Sequence, residues 1–155
     1  MLHGVWHFSF TVSDLDRSVA FYTERLGFEL IHTQEQSNAY TRKLVGYPDA
    51  HLRIAQIRIG DDPGISGHQL ELVQYVSPRG TRGDISIANP GAAHLAFAVA
   101  DLDAEYTRLR THGVRFFSPP NAITAGVNAG GSAVYFHGPD DVVHELVQPP
   151  PGLPG

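Results

Sequence analysis

Apolar and polar residues alternate along Phe8-Ser9-Phe10-Thr11-Val12, the two-residue period of a strand with one covered face. Directly after it, Leu15, Val19, Tyr22 and Leu26 recur at helical spacing behind Asp14, a good N-cap, and Gly27 supplies the stop. The spacing therefore predicts a strand running into an amphipathic helix. Strand-like runs follow at 28–33, 51–59 and 68–76. Between Thr33 and His51 the periodicity is weak and Tyr47-Pro48-Asp49 marks a turn, so this stretch reads as a long irregular segment.

The same pattern then returns. Gly4, His7, Phe10, Val12, Asp14, Leu15 and Asp16 are matched by Gly91, His94, Phe97, Val99, Asp101, Leu102 and Asp103, each 87 positions later. Glu71-Leu72-Val73-Gln74 is repeated as Glu145-Leu146-Val147-Gln148, 74 positions later, so the halves differ by an insertion and share a plan. Behind Asp101, Leu102, Tyr106 and Leu109 form the second helix face, closed by Gly113, and strand-like runs lie at 114–117, 132–136 and 142–147. The expected architecture is α+β: two tandem βαβββ modules, about 4–76 and 91–148, joined by 77–90. A Pro/Gly-rich tail follows at 149–155.

Strand alternation also sorts the chemistry. If Phe8, Phe10 and Val12 lie under the first helix, His7, Ser9 and Thr11 face the other way; the repeat puts His94, Ala96 and Ala98 on the matching face. Glu71 and Glu145 lie opposite their leucine neighbours, so each module offers one imidazole and one carboxylate on its helix-free face. A single strand histidine is ordinarily a satisfied or half-exposed side chain, and a single glutamate in an apolar strand usually has an arginine partner. A buried carboxylate is costly unless paired or metal-bound, however, and here the His/Glu pair occurs twice in matching positions. Two imidazoles and two carboxylates, His7, Glu71, His94 and Glu145, form a mixed N/O set suited to one divalent Zn, Ni, Co, Mn or Fe ion. By the same alternation His144 points away from Glu145, and His68 falls on the wrong face for Glu71. His3, His32, His51, His112 and His137 stand at element ends or turns.

Composition narrows the partners. The chain has 155 residues, 42% hydrophobic and 17% charged, enough to bury a core as an ordinary globular protein. Only 11 Lys and Arg against a net charge of −5 leave no basic stripe for nucleic acid, which points to a small-molecule partner. Without cysteine, thiolate metal sites and Cys nucleophiles are excluded. Neither a secretory leader pattern nor an apolar run of membrane-spanning length occurs, so no membrane partner and a cytoplasmic location are expected.

Taken together, His7 seven residues before Asp14, Phe21-Tyr22 followed by Leu26-Gly27-Phe28, His94 seven residues before Asp101, the Gly138-Pro139-Asp140 turn and Glu145 resemble the vicinal oxygen chelate superfamily. That superfamily includes glyoxalase I, methylmalonyl-CoA epimerase, extradiol dioxygenases and fosfomycin- and bleomycin-resistance proteins. The resemblance runs from Val5 to about Gln148 and implies that the two modules curl into a half-open sheet cup around a metal. The family's ligands correspond to His7, Glu71, His94 and Glu145, and its members commonly form homodimers. This chain departs from the family in having Gly138-Pro139-Asp140-Asp141 where many relatives have Asp-Pro-Asp-Gly.

Within this resemblance, a four-ligand set implies a glyoxalase-type lyase, isomerase or epimerase that moves a proton next to a carbonyl through a metal-stabilised enediolate, with Glu71 or Glu145 as base. Two alternatives stand beside it: an extradiol-type dioxygenase, whose three ligands would be His7, His94 and Glu145, and a non-catalytic antibiotic-binding resistance protein. For substrate contacts, Arg53 alternates with apolar residues and is a candidate to project into the cup towards a carboxylate or phosphate. Tyr40, with Asn38, Arg42 and Lys43, is a candidate lid residue in the long segment.

Overall fold

The structure is a computed structural model that describes residues 1–61 and 63–152; residues 153–155 of the expected tail lie outside the described residues. Its contacts separate into two compact units, Met1–Arg82 and Gly83–Gly155, and the division falls within 77–90.

In the first unit β1 (Phe8–Thr11) leads into α1 (Leu15–Ala20), where the Asp14 side chain accepts from the Arg17 backbone N–H at 3.0 Å. The helix widens into a π turn over Phe21–Arg25 before Gly27 takes φ 76° and ends it. β2 (Glu29–Gln36), β3 (His51–Arg58) and β4 (Leu70–Ser77) complete a sheet in the order β1-β4-β3-β2, with β1 parallel to β4. Leu70 and Leu72 of β4 and Ile57 of β3 are fully buried, as are Leu15 and Tyr22 of the helical segment.

The stretch between Thr33 and His51, expected to be irregular, is ordered. β2 runs on to Gln36, and α2 (Ala39–Val45) follows, with the Asn38 side chain accepting from Thr41 N at 2.9 Å and Gly46 closing it at φ 77°. Asn38 and Gly46 are ordinary start and stop signals. A seven-residue helix with one packed end carries too little periodicity for these signals to stand out in the sequence. Val45 packs with Leu52, Ile54, Val73 and Tyr75, covering one end of the sheet face that bears Glu71.

The second unit repeats the plan: β5 (His94–Ala98), α3 (Leu102–Thr111), β6 (Asn121–Ala122), β7 (Ser132–His137) and β8 (Val143–Gln148), in the order β5-β8-β7-β6. The strand expected at 114–117 is reduced to one bridge, Phe116 to Phe136, and the two-residue β6 takes the edge position that β2 holds in the first unit. The repeated Gln74 and Gln148 have a structural cause: their side-chain oxygens accept from the first helical N–H of each module, Leu15 N at 3.2 Å and Leu102 N at 2.8 Å. Among the described residues no helix is long and apolar enough to cross a membrane.

His144 is paired across the sheet with Leu95 and Phe136 and is fully buried, its ring against Phe97 and Phe136. Gly138 lies beside it because a Cβ there would come within 2.7 Å of His144 Nε2, and the turn continues with Asp140 and Asp141 at φ 55° and 60°. Burial pushes His144 down from 6.5 to about 4. Above about pH 6.5 the ring is neutral in both folded and unfolded chains. As pH falls towards 4 only the unfolded chain takes up the proton, so stability is lost over that window, on the order of 3 kcal/mol. Urea unfolding of metal-free protein between about pH 7.5 and pH 4.5 should therefore show a steeper loss than the His144→Leu variant does; parallel losses would remove His144 as the cause.

Candidate functional site

In the first module the parallel register sets Ser9 beside Glu71, and His7, two residues before Ser9, shares that face. His7 Nε2 stands 3.6 Å from Glu71 Oε1. In the second module Ala96 is set beside Glu145 in the same way, and His94 Nε2 stands 3.4 Å from Glu145 Oε2. The register neighbours of both carboxylates on the first strand of each module are small, Ser9 and Ala96. The glutamate side chains are 17% and 19% exposed, the histidines 28% and 43%, so the acids lie deeper than their imidazole partners.

These separations suit a cation. They are longer than a good hydrogen bond, whereas two donors each about 2.1 Å from one ion at octahedral or tetrahedral angles stand about 3.0–3.4 Å apart. Both pairs lie at or just beyond that span.

The modules differ in what surrounds each pair. Glu71 is flanked on β3 by Gln56, Glu145 on β7 by Tyr135. Burial, and then the Glu145 charge, holds the Tyr135 phenol above its ordinary value, so it remains a neutral hydroxyl; its ring meets His94 edge-on at 5.3 Å. Behind His7 lies His68, 4% exposed, with Nε2 3.2 Å from His7 Nδ1. The expectation that His68 faces away from Glu71 is corrected. His7, His68 and Glu71 each offer a ligand atom within 4.8 Å of the others. Alternation fails there because β4 begins only at Leu70, and His68 belongs to the loop before it.

Of the two substrate-contact candidates, Arg53 lies off the Glu71 face. Arg53 is paired in register with Gln74 and donates to Asp16, next to the start of α1, at 2.9 and 3.2 Å. It is therefore on the helix side of the sheet and not beside Glu71, whose register neighbour on β3 is Gln56. Tyr40 sits on α2 and is exposed.

The fold has counterparts. The Glyoxalase/Bleomycin resistance protein/Dioxygenase superfamily profile matches residues 4–146. A 2-epi-5-epi-valiolone epimerase from an Actinomyces species is 40% identical over 155 residues, covering 97% of this chain and 82% of that protein. Among solved structures, a glyoxalase family protein from Bacillus cereus superposes with a TM-score of 0.80 at 20% identity, covering 97% of this chain and 96% of that one. The trypanothione-dependent glyoxalase I of Leishmania major gives 0.64 at 22% identity, covering 95% and 87%. On a match that spans both modules and both His–Glu pairs, the chain belongs to the glyoxalase/bleomycin resistance protein/dioxygenase superfamily.

Proposed function

We propose that this protein is a metal-dependent epimerase that inverts a stereocentre next to a ketone carbonyl, with the His7–Glu71 and His94–Glu145 pairs as its donors to a divalent ion. The observation that carries the reading is the duplicated His–Glu pair, in the same register in both modules, in a chain 40% identical to a protein named for epimerising 2-epi-5-epi-valiolone. When bound, such an ion supplies Lewis-acid stabilisation for the negative charge that develops on vicinal substrate oxygens as the adjacent C–H is broken.

Inversion requires that a proton leave one face of the carbon and another return to the opposite face. Two carboxylates, one from each module, provide the acceptor and the donor that this demands: Glu71 takes the proton from one epimer and Glu145 from the other. His7 and His94 hold the donor set without competing for the proton. The neutral Tyr135 hydroxyl beside Glu145 is suited to donate a hydrogen bond to a substrate oxygen.

The test is isotopic. Protein loaded with Ni, Co, Zn, Mn or Fe(II) and incubated in D2O with a panel of chiral α-hydroxy ketones should give the inverted product carrying one solvent-derived deuterium. Inversion with the original hydrogen fully retained, or no exchange with any ketone or metal, would remove the proton-transfer reading.

A further inference from the structure

The histidine behind His7 has no counterpart in the repeat. Shifting His68 by the 74 positions that relate Glu71 to Glu145 lands on Val142, and the His94 ring contacts Tyr135 instead. The two imidazoles of the proposed donor set are thus supported differently, and the hydrogen-bond chemistry around His68 has a direction.

A neutral imidazole has one N–H and one lone pair. His68 Nδ1 lies 3.4 Å from the Ser66 backbone carbonyl, long for a hydrogen bond but close enough that a lone pair on Nδ1 would be repelled by the carbonyl oxygen, so the Nδ1–H tautomer is favoured and His68 Nε2 keeps a lone pair. That lone pair, 3.2 Å from His7 Nδ1, requires His7 to donate from Nδ1. His7 Nε2 is then bare and stands 3.6 Å from the Glu71 carboxylate. Two acceptors face each other with no proton between them, an arrangement that repels until a cation joins it. The opposite polarity would turn the His68 Nδ1 lone pair onto the Ser66 carbonyl and leave a 3.6 Å separation too long for a good hydrogen bond to Glu71. The loop is fixed at the same point, since Ser66 Oγ donates to the Trp6 carbonyl, adjacent to His7, at 2.6 Å.

We propose that His68 is a positioning residue that locks His7 in the Nδ1–H tautomer, aiming a bare Nε2 at the position a divalent ion would share with Glu71. His68 supports the donor set through His7 and is not itself a donor, because its Nε2 lone pair is taken up by the His7 Nδ1–H and its Nδ1 carries a proton. The second module carries no such lock among the described residues, so His7 is the pre-set half of the site. This rests on the metal-binding reading above.

The measurement is a 1H–15N correlation spectrum of histidine side chains in the metal-free full-length protein at about pH 8, with His7 assigned by its disappearance in His7→Ala. His7 should show an unprotonated Nε2 and a protonated Nδ1. In His68→Phe that tautomer preference should be lost and affinity for Zn2+ alone should fall about ten- to a hundredfold, the scale for losing a hydrogen-bond partner of a metal ligand. His68→Gln, whose amide oxygen still accepts from Nδ1–H, should restore both. A wild-type His7 protonated on Nε2 overturns the proposal without any variant. So does a His68→Phe protein with unchanged tautomer and affinity, or one that loses Zn2+ as fully as His7→Ala with no rescue by Gln, which would make His68 a donor. If His7→Ala itself leaves Zn2+ affinity intact, the metal-binding reading fails instead, and the tautomer result still stands or falls separately.

Discussion

Replacing either Glu71 or Glu145 by glutamine should lower epimer interconversion by about 10²- to 10⁴-fold, the usual contribution of a positioned general base, while bound metal changes far less. An amide oxygen still coordinates but does not accept a proton at neutral pH. Deuterium exchange then distinguishes the two acids. With Glu145→Gln, Glu71 still removes and returns a proton on its own face, so one epimer exchanges with solvent without being inverted. With Glu71→Gln, the other epimer exchanges. Both effects follow from the acids lying in the same register in separate modules, each 3.4–3.6 Å from its own histidine. Substitutions at both positions that leave turnover and metal content unchanged would eliminate these carboxylates as the site.

His94→Ala and His144→Ala should fail in opposite ways, although both residues sit on adjoining strands of one sheet. His94 is 43% exposed and stands beside Glu145, so its loss should lower metal affinity by at least about tenfold with little change in unfolding free energy. His144 is fully buried against Phe97 and Phe136 on the other face. Emptying that position should cost about 2–4 kcal/mol, the scale for large-to-alanine changes in a core, with metal binding retained by the protein that remains folded. Metal content by elemental analysis and stability by urea titration, measured on both variants, read the two effects independently. Equal metal loss in the two would mean that the faces of β5 and β8 are assigned wrongly.

Where the side chains alternate inside a paired strand, their faces were legible from sequence. His144 does point away from Glu145, and Leu70 and Leu72 do lie opposite Glu71, because strand periodicity is local and needs no knowledge of the partner. Near strand ends the same rule fails. Alternation misplaces His68, two residues before the start of β4, and it misplaces Arg53, whose cross-strand neighbour is Gln74 on the helix side. Register decides such positions, and register is a relation between segments far apart in the chain.

The sequence by itself determined the duplicated plan, the two capped helices after Asp14 and Asp101, and the placing of His7 with Glu71 and of His94 with Glu145 on one face of each module. All of these rest on short-range spacing or on direct repetition within the chain. Only the tertiary structure decided that the stretch after β2 holds a helix, that the second module keeps just a two-residue edge strand, and that Gln74 and Gln148 cap helices from across the sheet. It alone brought His68 from a loop to within 3.2 Å of His7. These contacts join residues 46 to 61 positions apart or arise where local propensity is weak. Their stability comes from packing and hydrogen bonds between elements, which no window of neighbouring residues contains.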